Sequence, residues 1–198
     1  ATVEVKARAR FVSRGGEKLV KALDIFKIAT LDRICLDGGI STGGFTDCLL
    51  QAGAKQVYGI DVGYGQVDWK LRTDDRLILR ERTNIRHLTP AELYGEPIEG
   101  IYPVTLPDLG VVDVSFISLI KILPALNSLL APPKELVLLV KPQFEVGKGA
   151  IGKHGVVRDL SAQAGVISGV LAAAQDLGWD YRGLTWSPLV GPAGNIEY

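Results

Sequence analysis

The sequence predicts a doubly wound α/β domain: a mostly parallel, twisted sheet with helices on both faces, finished by an antiparallel hairpin at the C-terminal end. Three observations carry this expectation. Short aliphatic runs alternate with segments whose apolar residues recur at helical spacing. A glycine-rich turn, Asp37-Gly38-Gly39-Ile40-Ser41-Thr42-Gly43-Gly44-Phe45, follows the first aliphatic run. The last two runs have no helix between them and must therefore pair antiparallel if they pair at all.

Taken in order, helical spacing over 17–26 predicts a first helix, and Ile34–Gly38 a buried first strand leading into the glycine-rich turn at 38–44. A helix follows over 45–51, then a second strand over 56–61 that ends in an acid, a short helix over 66–72 and a third strand over 77–80. Residues 94–107, rich in proline and glycine, read as a surface loop. The fourth strand is placed at 109–114, with a helix over 119–130. Residues 135–140 form the fifth and most hydrophobic strand, which places it centrally in the sheet. After a glycine-rich loop at 147–155, a long helix covers 161–177. Runs at 181–187 and 195–198, around Pro188, Gly191, Pro192 and Gly194, complete the hairpin. A parallel sheet closed in this way is the class I methyltransferase variant of the Rossmann-like plan.

Composition narrows the class. At 198 residues and 47% hydrophobic, the chain can bury a core as one globular domain. No apolar stretch is long enough to span a bilayer, and no signal peptide opens the chain, so the expected setting is cytoplasmic, without membrane insertion. Cys35 and Cys48 read as two reduced core thiols. The net charge is zero, yet Lys6, Arg8, Arg10, Arg14, Lys18 and Lys21 face only Glu4 and Glu17 at the start, which makes a basic arm. With alanine first and no methionine anywhere, the chain is expected to be part of a longer protein.

Ligands of open α/β sheets sit at the carboxyl ends of the strands. Gly38, Ser41, Thr42, Gly43, Gly44 and Phe45 of the first turn are therefore candidate cofactor contacts. Their G-G-x-x-x-G-G spacing departs from the dinucleotide fingerprint. Asp61, about two dozen residues beyond the turn, is placed to accept the hydroxyls of an adenosine ribose. Asn84, just past the third strand, is placed to meet an adenine edge or to serve as an ordinary turn asparagine. Gly147 to Lys153 imitates a phosphate loop, but His154 stands where Ser or Thr is needed.

Two charges end apolar strands: Asp113 in Val111-Val112-Asp113-Val114-Ser115-Phe116 and Lys141 in Leu139-Val140-Lys141-Pro142-Gln143-Phe144-Glu145. Both should enter one cleft, either as a structural ion pair or in use. His87 and His154 stand alone, and Ser115 and Ser118 lack a histidine base, which argues against a hydrolase triad. No metal-ligand cluster is visible.

Long motifs then carry a resemblance: F-V-S-R-G-G-E-K-L from Phe11, D-G-G-I-S-T-G-G-F-T-D from Asp37, G-I-D-V-G-Y-G-Q from Gly59, D-V-S-F-I-S-L from Asp113, V-K-P-Q-F-E-V-G-K-G from Val140, G-V-V-R-D from Gly155, and S-P-L-V-G-P-A-G-N-I-E-Y from Ser187. Through them the chain closely resembles the TlyA family, known both as haemolysin A-like and as ribosomal RNA methyltransferases, within the FtsJ-like 2′-O-methyltransferase group. The resemblance implies a catalytic tetrad of Lys18, Asp113, Lys141 and Glu197. It also implies S-adenosyl-L-methionine contacts at Gly43, Phe45, Asp61, Asn84 and Asp113, with the Phe45 ring packing on the cofactor. In that chemistry Lys141 takes the ribose hydroxyl proton, Lys18 holds the developing alkoxide, and Asp113 and Glu197 orient the two ammonium groups.

The implied partner is ribosomal RNA or a ribosomal subunit. Family members carry an S4-like RNA-binding domain ahead of this one. Residues 1–16 are thus expected to be the arm from such a domain, 17–198 the methyltransferase domain, and this piece alone to bind cofactor but hold RNA weakly. The alternatives are an NAD-dependent oxidoreductase on a similar sheet, a membrane-active haemolysin, and a methyltransferase-like binding module without activity.

Overall fold

The computed structural model describes residues 9–147 and 152–198, apart from the Lys153 side chain; the expected arm residues Lys6 and Arg8 and the middle of the 147–155 loop lie outside the described residues. Five strands, β1 (Ile34–Gly38), β2 (Gln56–Ile60), β3 (Leu77–Arg80), β4 (Leu109–Val112) and β5 (Glu135–Leu138), form one parallel sheet in the order β3-β2-β1-β4-β5. The order reverses between β1 and β4, so their carboxyl ends open the crevice in which such sheets hold ligands.

Strand period assigns the two faces of the sheet. Cys35, Val57 and Val111 pack into one apolar cluster with Phe11, Leu19, Phe45, Leu49 and Leu71. Their neighbours Leu36, Tyr58 and Val112 pack into the other, with Leu126, Leu129, Val140 and Val170. The first cluster is covered by α1 (Gly15–Phe26), α2 (Gly44–Gln51) and α3 (Trp69–Arg72); the second by α4 (Pro90–Tyr94), α5 (Leu123–Leu129) and α7 (Leu160–Asp176). Between β5 and α7 lies the single-turn α6 (Pro142–Glu145).

The chain enters the domain before α1. Phe11 is 5% exposed and belongs to the first cluster. The Val12 amide donates to Asp47 Oδ2 at 2.9 Å. Gly16 lets Phe11 fold back on the helix, because a Cβ there would stand 2.2 Å from the Phe11 ring. Burying such a ring contributes about 2 kcal/mol.

Three expectations change. Strand β5 is an edge of the parallel sheet, not its centre, and its residues are exposed to half-buried; strand β1 is central. Hydrophobicity misled because β5 has cover that the strand pattern does not reveal. The C-terminal segment runs along its continuation, where Val140 and Tyr198 exchange both backbone hydrogen bonds, at 2.7 and 3.0 Å. The expected hairpin survives as bonds from the Ser187 amide to the Glu197 carbonyl and from the Gly191 amide to the Asn195 carbonyl, both 2.8 Å, not as two ladder strands. The segment read as a loop from Tyr94 is preceded by α4, which starts at a full capping box, Thr89 with Glu92, with Pro90 in its first turn.

Candidate active site

Four carboxyl ends converge. The Asp113 amide donates to the Gly38 carbonyl at 3.0 Å, tying the end of β4 to the end of β1. Gly39 follows with φ +87°. A Cβ there would stand 2.7 Å from the Asp113 carbonyl oxygen, so the turn lies directly against β4. Asp61, after β2, spreads its carboxylate between two loops: Oδ2 accepts from the Ser41 amide and Oδ1 from the Gly63 amide, both at 2.7 Å. Each oxygen keeps a lone pair for another donor.

Two lysine–acid pairs stand at this edge. Lys141 Nζ lies 2.5 Å from Asp113 Oδ1 and donates to Ser115 Oγ at 2.9 Å. Lys18 Nζ, from α1, donates to Glu197 Oε2 at 2.6 Å, and that carboxylate is 1% exposed. The exchange between Val140 and Tyr198 is an antiparallel pattern, so the next residues inward, Lys141 and Glu197, face each other as a close pair with side chains on one face. The C-terminal segment therefore sets the Lys18–Glu197 pair opposite Lys141.

Among the described residues, four buried side-chain polar atoms have no hydrogen-bond partner. Two are acceptors at this edge with no partner of any kind, Asp37 Oδ1 at β1 and Gln143 Oε1 after Lys141, while a third, Asp113 Oδ1 after β4, has only its ion pair with Lys141. Such atoms are rare in folded proteins and call for a donor. A ligand rich in N–H and O–H groups, cationic near the aspartates, is what they fit. Asp37 is fully buried, and burial pushes its carboxyl up to about 7, against the bond donated by Thr46 Oγ1 at 2.7 Å, with Asp113 and Asp61 adding to the rise.

The glycine turn divides in two. Ser41 and Thr42 are exposed at its tip. Gly38, Gly43 and Gly44 are buried, and protein fills the space beside them. A Cβ on Gly38 would meet Ile85 at 3.0 Å, one on Gly43 Leu71 at 2.2 Å, and one on Gly44 Ser13 Oγ at 2.3 Å. On that side these glycines serve close packing of β1, α2 and α1. The Phe45 ring is 4% exposed and packs within the first cluster. Asn84 is exposed, and its Oδ1 caps the short turn Ile85–His87 by accepting from the Arg86 amide at 3.1 Å, which leaves its NH₂ free to donate outward.

Sequence reasoning gave no role to Asp37, Ser115 or Glu145. Glu145 accepts from Ser118 Oγ (2.6 Å) and from the Leu119 amide (2.7 Å). The D-V-S-F-I-S and K-P-Q-F-E strings contained all the partners, but only the approach of β4 to β5 reveals the links. A groove of about 580 Å³ lies away from this site at the amino-terminal edge, beside Ile34, Asp108 and Pro133.

Residues 11–198 match the FtsJ-like methyltransferase family. The 16S/23S rRNA (cytidine-2′-O)-methyltransferase TlyA of Mycobacterium tuberculosis is 49% identical over 197 residues, covering 100% of this chain and 70% of that protein. Bacillus subtilis YqxC, named as a candidate rRNA methyltransferase, is 48% identical over 96% of this chain. This chain spans 64% of YqxC, under two thirds of its length. The solved structure of a candidate hemolysin from Streptococcus thermophilus superposes with a TM-score of 0.88 at 47% identity, covering 96% of this chain and 66% of that one. The oxidoreductase alternative finds no support in these likenesses. Hemolysin names do occur among them, but no helix among the described residues is long and apolar enough to cross a membrane. With the family matched over nearly its whole length and relatives near half identity, the chain belongs to the FtsJ-like methyltransferases.

Proposed function

We propose that this domain transfers a methyl group from S-adenosyl-L-methionine to a ribose 2′-hydroxyl of ribosomal RNA, in the cytoplasm, on RNA presented by a ribosomal subunit. The observation that carries the reading is the Lys141–Asp113 pair at the crevice, with the Lys18–Glu197 pair set opposite Lys141 by the C-terminal segment. The names of the relatives make a cytidine the first target to test.

The cofactor fits the polar groups present. Asp61 takes the ribose hydroxyls, the Asn84 amide donates toward the adenine edge, and Asp113 and the exposed turn at Ser41 and Thr42 border the amino-acid end. When bound, the cofactor supplies a methyl group activated by its sulfonium, which departs with the electron pair of the broken C–S bond.

The protein's share is proton transfer and alignment. A ribose hydroxyl is a weak nucleophile, so Lys141, as the free amine, takes its proton while the oxygen forms the bond to carbon. Lys18 donates to the developing alkoxide, and Glu197 fixes Lys18. Asp113 balances the ammonium formed on Lys141. No side chain becomes covalently bound, so holding oxygen, carbon and sulfur in line supplies much of the rate.

The test uses the full-length protein, labelled cofactor and each ribosomal subunit, followed by digestion to nucleosides. Label is expected on a 2′-O-methyl nucleoside, and Lys141→Ala is expected to cut the rate by about a hundredfold or more. Label on a base, or full activity in Lys141→Ala, would remove the reading. The domain alone is expected to bind cofactor but to hold RNA more weakly than the full-length protein.

A further inference from the structure

We infer that Ser115 is a positioning residue that sets the direction of the Lys141 side-chain nitrogen, an inference that rests on the methyltransferase reading above. Two groups stand against that nitrogen, and they differ in kind. Asp113 Oδ1 lies at 2.5 Å but without the angle of a hydrogen bond. It supplies the opposite charge, off the line of a directed hydrogen bond. Ser115 Oγ accepts a directed bond at 2.9 Å and is the one hydrogen-bond partner of Lys141 Nζ among the described residues.

The backbone is bent to make this contact. Phe116, next in sequence, has φ +64°, a left-handed conformation that costs an L-residue roughly 1 kcal/mol. Burial does not offset the cost: Phe116 is 91% exposed, with a tilted contact to Phe144 at 5.0 Å between ring centres. What the bend accomplishes is to turn the chain after β4 so that the Ser115 hydroxyl meets Lys141. Unusual backbone of this kind persists where the surroundings hold it.

Glu145 provides that hold. One carboxylate oxygen accepts from Ser118 Oγ and the other from the Leu119 amide. Glu145 lies one helical turn beyond Lys141 in α6. A single side chain therefore latches the loop bearing Asp113 and Ser115 to the segment bearing Lys141. At its other end the loop is tied by the Asp113 amide to the Gly38 carbonyl. Between these ties Ser115 has little freedom, although it is solvent-exposed. A neutral amine has one lone pair, and whether that pair meets the ribose hydroxyl depends on where its N–H bonds are fixed. Ser115 fixes one of them.

The experiment compares wild-type full-length protein with Ser115→Ala and Ser115→Thr, using ribosomal subunits as substrate. Ser115→Ala is expected to lower kcat by roughly ten- to a hundredfold, with KM for RNA, cofactor affinity and Tm unchanged. Ser115→Thr keeps the hydroxyl at a solvent-exposed position and is expected to restore kcat to within about threefold. Wild-type kcat in Ser115→Ala, a loss confined to KM or Tm, or a threonine variant as slow as the alanine one each overturns the inference. If the wild-type protein labels no ribose, the enzymatic reading falls first; an active wild type with an unimpaired alanine variant removes Ser115 alone.

Discussion

Lys18 Nζ donates to Glu197 Oε2 at 2.6 Å although the two residues are 179 positions apart, and the carboxylate they share the contact through is almost wholly buried. Removing one partner of such a pair strands the other. Lys18→Ala is expected to destabilise the domain by about 3 kcal/mol, measured by urea denaturation. Lys18→Met with Glu197→Gln removes both charges and is expected to recover most of that loss without recovering activity. A single variant as stable as wild type would place the pair in a wetter setting than its burial indicates.

Asp61 gives a separate handle on the cofactor. Its two oxygens accept from Ser41 and Gly63, so Asp61→Asn keeps the shape and turns one acceptor into a donor. S-adenosyl-L-methionine affinity is expected to fall by about tenfold or more, read by titration calorimetry, with RNA affinity unaffected. Unchanged cofactor affinity would move the ribose site elsewhere.

The buried Asp37 makes stability depend on pH. Its carboxyl sits at about 7 in the folded protein, against an ordinary 3.8, because burial disfavours the charged form. Between these values the folded state holds more protons than the unfolded state, so this residue makes stability fall as pH rises from about 4 to 7. The slope is at most about 1.4 kcal/mol per pH unit. Asp37→Asn is expected to flatten that decline and to leave the variant more stable than wild type at pH 8, by denaturation at a series of pH values. Parallel wild-type and variant curves would show that Asp37 is not the titrating group.

Helix α1 approaches α2 through Gly44, where a Cβ would meet Ser13 Oγ at 2.3 Å and the Gly16 backbone nitrogen at 2.9 Å. The serine can rotate away; the backbone cannot. Gly44→Ala is expected to lower stability by about 2 kcal/mol and to weaken activity by displacing Lys18. Phe45→Leu, by contrast, is expected to lower Tm with cofactor affinity unchanged, since the ring is a core residue. A selective loss of cofactor binding in Phe45→Leu would restore the ring to the site.

Strand and helix spacing made much of the fold legible. Ile34–Gly38 and Leu77–Arg80 form strands as expected, and the alternation of Cys35 with Leu36 already separates the two faces. The α4 capping box stood in the sequence as Thr89-Pro90-Ala91-Glu92, but a helix of five residues is too short to show apolar periodicity, and no element was assigned there. Asp113 and Lys141 could be placed by their strand ends. Lys18 and Glu197 could not, because their meeting depends on how α1 and the tail pack against the sheet, and local spacing does not encode that. The packing of Phe45 and Gly44 was not legible for a related reason: residues beside a ligand turn and residues beneath it look alike in sequence, and only neighbours such as Ser13 and Leu71 show what their side faces meet.

The mutual backbone bonds of Val140 and Tyr198 leave Glu197 dependent on a short stretch joined to the sheet only at the end of β5, and otherwise tied through Asn195 to Val157 and Gly155 and through Tyr198 to Gln163. Detaching that stretch requires no melting of the parallel core. Mild denaturant should therefore dismantle the charge constellation while far-ultraviolet dichroism still reports an intact scaffold, making enzymatic competence the most sensitive gauge of whether the polypeptide has completed its folding.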